Sequence, residues 1–494
     1  MISSHLPVLQ VIVPLMAAPI CLFFRRVPIA TWAIAVAVSW FCFGVSVTLL
    51  QRVLDTGTII YEIGNWAAPW GIEYRIDLVN AFVLVIVAAI GAIITPYAWT
   101  SVRREIAPRR VYLFFTMFNL CLSGLLGIAI TGDAFNLFVF LEISSLSAYA
   151  LIAMARDRRA LTAAYRYLVM GTVGATFYVI GIGLLYMMTG TLNMVDLADK
   201  LPQVAGTRTV LAALAFLTVG IGLKLAMFPL HTWLPNAYTR APSAVTAFLA
   251  ATATKVAVYA LIRVYFTIFG KVDIFETMPI REVLMVLAIL AMFAGSLVAI
   301  FQENVKRLLA YSSIAQVGYM VLGISFATVT GLSGGILHLF NHALMKCALF
   351  MVMGCVFYRM GAVTMKDFEG LGKRMPLTMA AFVVAGLSLI GVPLTVGFVS
   401  KWVLIQAALE QGMWPIAALI VASSLLAVIY IWRIVEAAYF RPSPAGAEKV
   451  REAPLSLVVP TWIMALASVY FGVDATRTVE IARAAASMLV GGGS

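Results

Sequence analysis

The sequence predicts an all-α integral membrane protein of about fourteen transmembrane helices, with an inverted repeat of helices 4–8 and 9–13 and breaks in helices 7 and 12. Three observations carry this prediction. Hydrophobic residues make up 63% of the 494-residue chain and charged residues 11%, a balance that water cannot solvate. Apolar runs of about 20 residues, long enough to cross a bilayer as a helix, recur from end to end. The basic residues collect in alternate loops.

Taken in order, the runs lie near 7–25, 28–50, 77–99, 110–131, 134–155, 161–189, 209–233, 242–269, 281–301, 307–329, 333–358, 376–409, 415–440 and 455–473. The first has no basic start and no small-residue cleavage site after it, so it reads as a retained helix and not as a signal peptide. Between spans 2 and 3, "GNWAAPWGIEYRID" interleaves aromatic and polar residues and predicts a short hairpin. Asp133 and Asn136, at the mouth of span 5, read as helix caps.

Loops that follow odd-numbered spans hold twenty of the 34 Lys and Arg residues, from Arg25 and Arg26 to Arg441, Lys449 and Arg451. The opposite loops hold eight, and six lie inside spans. By the positive-inside rule both termini face away from the cytoplasm, and the expected location is a bacterial inner (plasma) membrane, crossed many times. The net charge of +12 therefore reads as topology, and no nucleic-acid partner is expected. The five cysteines sit inside spans without a CxxC pair, and no P-loop or GxGxxG occurs. No disulfide framework, metal site, nucleotide or other cofactor is expected.

Sliding the chain against itself by about 171 residues brings Gly183 onto Gly354, Gly190 onto Gly361, Met194 onto Met365 and Asp196 onto Asp367. Such matches keep their order and divide a single membrane domain, 1–494, into helices 1–3 (1–109), a first five-helix repeat (110–270), a second (281–440), and helix 14 with a tail (441–494). Five is odd, so the second copy enters the membrane from the opposite side, as in many transporters. Such folds break corresponding helices at Gly and Pro near the midplane. Gly220, Gly222 and Pro229 around Lys224, and Gly391, Pro393 and Gly397 before Lys401, predict those breaks. At a shift of 177, "VGIGLK" falls on "VGFVSK", which makes Lys224 and Lys401 symmetry mates.

Lys224, Lys255, Lys346 and Lys401 lie deep in spans, where each costs about 2.5–3.5 kcal/mol if it faces lipid. They are expected to face polar surroundings, either as fixed ties between helices or as a proton path. Arg263 and Arg433 lie toward span ends, where they are expected to snorkel. Glu142 is the one acid well inside a span and needs a partner or a proton; Lys224 is the candidate. His338, His342 and Lys346 stand at i, i+4 and i+8 on one helix face. A metal site would lack a third ligand there, so a proton relay is the better reading. Lys255, beside the hydroxyls of Thr246, Thr252 and Thr254, is either a tie to a helix carbonyl or a relay member. If the repeats pack face to face, these residues form one polar axis along the midplane.

At these residues the chain resembles the antiporter-like subunits shared by Mrp-type sodium/proton antiporters, the membrane arm of respiratory complex I and related hydrogenases. "LFVFLEI", "KLAMFPLHTWLPNAYTRAPSAVTAFLAATATK", "NVKRLLAYSSIAQVGYM", "LHLFNHALMKCALF" and "GVPLTVGFVSKW" carry the likeness, which covers nearly the whole chain. The resemblance implies a fourteen-helix core, a Glu142 and Lys224 pair, a relay through Lys255 and the stripe from His338 to Lys346, and Lys401 as terminal gate. Within the family, the hairpin segment and a lysine in helix 12 most resemble the D subunits of Mrp antiporters. The resemblance implies no enzyme but an ion-transporter subunit, with other membrane subunits of a hetero-oligomeric antiporter as partners, protons as cargo, and Na+ carried through the complex. Two other classes stay open: a proton-pumping subunit of a complex I-type or hydrogenase redox complex, and a structural subunit with a vestigial channel.

Overall fold

The computed structural model describes residues 4–443 and 450–491. Lys449, counted above among the basic loop residues, lies outside them. Helices α1 (Leu6–Phe23) and α2 (Pro28–Thr56) make the first two crossings. The expected hairpin follows as β1 (Ile59–Glu62) and β2 (Glu73–Ile76), paired antiparallel with Tyr61 opposite Tyr74. Asp77 then starts α3 (Leu78–Glu105) with a capping box, its carboxylate accepting from the N–H groups of Val79 and Asn80 while the Asn80 side chain accepts from Asp77 N–H.

The first repeat contains α4 (Val111–Ile130), α5 (Ala134–Ala153), α6 (Arg159–Thr189) and the short α7 (Met194–Lys200). A broken seventh crossing follows, α8 (Arg208–Leu225) and α9 (Trp233–Arg240), and then an eighth, α10 (Ser243–Ala251) and α11 (Ala253–Arg263). After the short α12 (Ile274–Thr277), the second repeat runs α13 (Ile280–Ile300), α14 (Val305–Ser325), α15 (Val329–Met360), the short α16 (Leu371–Arg374), the broken pair α17 (Pro376–Ile390) and α18 (Val396–Glu410), and α19 (Trp414–Tyr439). Helix α20 (Leu455–Val473) is the last crossing, and α21 (Thr476–Val490) closes the described chain. Among the described residues, thirteen helices or helix runs are long and apolar enough to cross a membrane alone; α17 and α18 together supply the twelfth of fourteen crossings.

The duplication is written into the backbone. Helices α4, α5 and α6 have 20, 20 and 31 residues; α13, α14 and α15 have 21, 21 and 32. Both long helices end on a left-handed glycine, Gly190 and Gly361. In the first repeat Asp133 bridges Asn193; in the second Asn304 bridges Thr364, each residue displaced by 171. The hydrogen bonds repeat as well: Ala134 N–H to Leu192 O matches Val305 N–H to Val363 O, each 2.8 Å. Three crossings separate the two clasps, so they lie on opposite faces of the bundle. That is the inversion.

Helix α15 is the axis of the molecule. Its apolar core segment is wholly buried, whereas those of α2 and α19 are one-third buried and turn apolar side chains such as Trp40, Leu425 and Trp432 outward. Around α15 pack α10, α14, α17, α18, α20 and α21. Two features depart from the sequence reading. Span 8 is interrupted at Thr252 (φ −123°, ψ −57°), with no Gly or Pro to announce it, and it ends in a π-helical turn over Val264–Ile268. The tail after span 14 is a helix: α21 buries Ala482, Ala485 and Ala486 against α3 and α15.

Candidate functional site

The breaks fall next to the predicted residues and not on all of them. Helix α8 stops at Ala226, which adopts the left-handed conformation (φ 60°), and Pro229 lies in the open segment before α9. Gly220 and Gly222 are inside α8. Gly220 serves packing, since a Cβ there would stand 2.7 Å from Gly174 O of α6. In span 12, Gly391 is the left-handed cap of α17 (φ 93°) and Pro393 lies in the open segment, while Gly397 is inside α18.

This geometry corrects the symmetry assigned to the two lysines. Lys224 stands in the last turn of the half-helix before its break, and Lys401 in the half-helix after its break. The shared "VG" and "K" letters therefore align non-equivalent backbone. Lys224 Nζ meets Glu142 Oε1 of α5 at 3.2 Å and Ser145 Oγ at 2.8 Å. The ammonium is buried and the carboxylate is half-buried, on the same helix as the exposed Phe135, Val139 and Leu146. Lys401 instead reaches back across its break and donates to Leu389 O (3.1 Å) and Ile390 O (2.8 Å), the last carbonyls of α17, where a cation complements the helix dipole. The Tyr319 ring lies 5.1 Å from the ammonium.

Between these lysines the remaining predicted residues are all buried. Lys255 donates to Ala250 O and to Thr254 Oγ1, 3.3 Å away, so it holds the carbonyl freed by the interruption at Thr252. The hydroxyls of Thr246 and Thr252 bond backbone carbonyls instead of serving the lysine. Lys346 donates to Leu309 O (2.8 Å) and Ser312 Oγ (2.5 Å) on α14. His338 is fixed on both sides, Nδ1 to Ser400 Oγ and Nε2 to Gln316 Oε1, each 2.9 Å. Neither ring nitrogen of His342 has a hydrogen-bond partner among the described residues. The two imidazoles lie parallel with centroids 6.1 Å apart, near enough for a proton to pass through one or two waters. Ser400, the partner of His338, directly precedes Lys401 in α18, so the stripe of α15 meets the Lys401 end of the row.

Beside Lys224, on the side of α10 and α11, lies a cavity of about 20 Å³ lined by Lys224, Ser145, Leu249, Ala253 and Ala257. Roughly 10–15 Å³ suffices for one water. Chemically, the arrangement is a row of titratable side chains at membrane depth, held by hydroxyls and carbonyls except at His342 and where Glu142 supplies a counter-charge.

One prediction fails outright. Arg263 does not snorkel: its Nη2 meets Asp77 Oδ1 at 2.6 Å with both side chains buried, and its Nε donates to Tyr259 Oη at 2.8 Å. The cap of α3 and the end of span 8 are thereby one unit. Arg433 behaves more nearly as expected, half-buried and 3.4 Å from the exposed Glu303. Asp133 accepts from Asn136 N–H at 2.6 Å, the cap expected of it. The five cysteines are free and buried.

Comparison with known proteins places this architecture. The family described as NADH:quinone oxidoreductase/Mrp antiporter, transmembrane, matches residues 131–427. The chain is 42% identical to the N subunit of an NADH-quinone oxidoreductase from Desulforudis audaxviator, over 95% of this chain and 96% of that one. It is 33% identical to the D subunit of a Na+/H+ antiporter from Alkalihalophilus pseudofirmus, over 79% and 78%. Among solved structures, a chain of the Mrp complex from a Dietzia species superposes with a TM-score of 0.91 at 26% identity, covering 99% of this chain and 98% of that one. The chain belongs to the NADH:quinone oxidoreductase/Mrp antiporter family of antiporter-like membrane subunits.

Proposed function

We propose that this chain is the proton-translocating subunit of a multisubunit monovalent cation (Na+)/proton antiporter, and that protons move along an axis made by Glu142, Lys224, Lys255, His338, His342, Lys346 and Lys401. The observation that carries the reading is the interior row itself: four lysines and two histidines fully or nearly buried, with one carboxylate among them. Buried charges of this number are expensive for a purely structural scaffold and are ordinary for a proton path. A sodium ion needs several oxygen ligands and compensating negative charge. The row offers mostly cationic groups, so the Na+ path lies in or between partner subunits. The antiporter relative and the Mrp complex chain support a hetero-oligomeric membrane assembly. Residues 110–270 and 281–440 are the two repeats, and the basic loops face the cytoplasm of a bacterial inner membrane, with both termini outside.

A second reading is favoured by the relative named as part of an NADH-quinone oxidoreductase. In it the same row pumps protons within a redox complex. The assembly purified from its native membrane and reconstituted in vesicles decides between them. Proton movement driven by an imposed Na+ gradient supports the antiporter, and movement driven only by a redox donor and acceptor supports the alternative. The single chain is expected to exchange nothing by itself, and robust Na+/proton exchange by it would remove the division of labour proposed here.

A further inference from the structure

At the face of the basic loops lies a cavity of about 560 Å³, enclosed by the end of α3, the α5–α6 connection, the end of α9, the start of α14 and the end of α15. We infer that this cavity is the proton inlet to the interior row, with Glu105 as the acceptor and Lys306 as the residue that positions it. The inference rests on the proton-translocating reading above.

Glu105 and Lys306 line the cavity and are themselves 8% and 3% exposed. One residue, Ser243, joins them. Lys306 Nζ donates to Ser243 Oγ at 2.9 Å, and that hydroxyl donates to Glu105 Oε2 at 3.1 Å. Ser243 N–H donates to the same carboxylate oxygen at 2.9 Å, and Ser101 Oγ donates to Oε1 at 2.9 Å. The carboxylate is thus held at the cavity floor, at the first residue of α10, the half-helix whose far end presents Ala250 O to Lys255.

The floor also stands close to the row. Lys306 lies in the first turn of α14, and Lys346 hangs on Leu309 O and Ser312 Oγ of that same helix. Those positions are three and six residues beyond Lys306, about 5 Å and about 9 Å along the axis. One to three waters bridge such a gap. A protonated buffer anion at the cavity floor gives its proton to Glu105, forming an O–H bond there, while the anion keeps the electron pair and leaves with one more negative charge. Glu105 then passes it inward to a Lys346 amine that has given its own proton onward, and the carboxylate is restored.

The remaining charges of the cavity explain what it refuses. Arg104, Arg156, Arg159 and Arg240 line it with Lys306, against Glu105 and Asp157 alone. Arg159 and Arg240 hold the Asp157 carboxyl below the usual carboxylate range, so that acid stays engaged with them. A sodium ion would have to dwell in this positive field. A proton arrives on a protonated buffer anion drawn in by that field.

The test uses the whole assembly in vesicles. Ala362 lines the cavity, and the five native cysteines are buried, so Ala362→Cys offers one accessible thiol there. A bulky anionic methanethiosulfonate added from the basic-loop face should abolish proton transport, and it acts after folding is complete. Glu105→Gln should slow transport on the order of 100-fold, the usual scale for loss of a positioned proton acceptor, and Glu105→Asp should restore much of it. Complete labelling with undiminished transport, or wild-type rates in Glu105→Gln, overturns the inlet. The unlabelled Ala362→Cys assembly separates the two ideas: if it moves no protons under either driving force the proposed function fails and the inlet with it, whereas transport before and after labelling removes the inlet alone.

Discussion

In the first repeat the lysine of the broken span faces a carboxylate, and in the second it faces none. Lys224 meets Glu142 and Ser145 from a neighbouring helix; Lys401 meets only two carbonyls of its own span and the face of Tyr319. The clasps at Asp133–Asn193 and Asn304–Thr364 show how closely the backbones otherwise agree. Carried along the chain, the clasp offset of 171 sets Glu142 on Ser313, Tyr167 on His338 and Ala175 on Lys346. The carboxylate of one copy is a serine in the other, and the titratable stripe of α15 has no counterpart in α6, where Tyr167 stacks on Trp233 instead. Duplication kept the frame and divided the chemistry: the first repeat supplies a charge pair at the rim, the second most of the row.

The sharpest way to break this comparison is to remove the pair that only one repeat has. Lys224→Ala and Glu142→Ala should each abolish coupled proton transport in vesicles at normal subunit levels, since loss of one partner of a largely buried pair costs roughly 3–5 kcal/mol and removes the exchange partner. Full activity in both would take the pair out of the mechanism. Lys401 should be as sensitive to truncation, and Lys401→Arg should recover little, because arginine keeps its charge but does not release its proton. Wild-type turnover in that variant would mean that Lys401 acts as a fixed charge.

Stability separates the repeats at a second pair of equivalent arginines. Arg263 is sealed against Asp77, so Asp77→Ala should destabilise the subunit by roughly 3–5 kcal/mol, read as a large fall in Tm in detergent. Its counterpart Arg433, beside the exposed Glu303, should lose about 0–1 kcal/mol in Arg433→Ala. Equal shifts in Tm would erase the asymmetry claimed here.

What was legible in the sequence is what apolar length, loop charge and letter spacing encode. The spans, the duplication and the hairpin follow from those signals, whereas the pairing of Glu142 with Lys224 came from the family resemblance. The displacement of Lys401 across its break was not legible, because "VGxxxK" matches letters while the caps Ala226 and Gly391 set the true register. The interruption at Thr252 carries no Gly or Pro, and the freed carbonyl of Ala250 is satisfied by Lys255 from the next turn. Arg263 looked like a snorkelling side chain because its partner lies 186 residues earlier, in a loop whose fold decides the matter. Lys306 counts in the sequence only as one of the basic loop residues, and nothing there links it to Glu105, which Ser243 brings to it in the fold.

The clasps have a mechanical consequence. Each ties the start of a repeat's second helix to the chain leaving its third, so those two helices are joined at both ends and should move as one block. Within the lysine-bearing crossings the α-helical ladder is interrupted at residues 226–232, 391–395 and the single step at Thr252, each beside one of the lysines. A bilayer that thickens or thins loads a helical bundle along its length. That load would be absorbed at these three short segments, and the lysines are the side chains it would displace first.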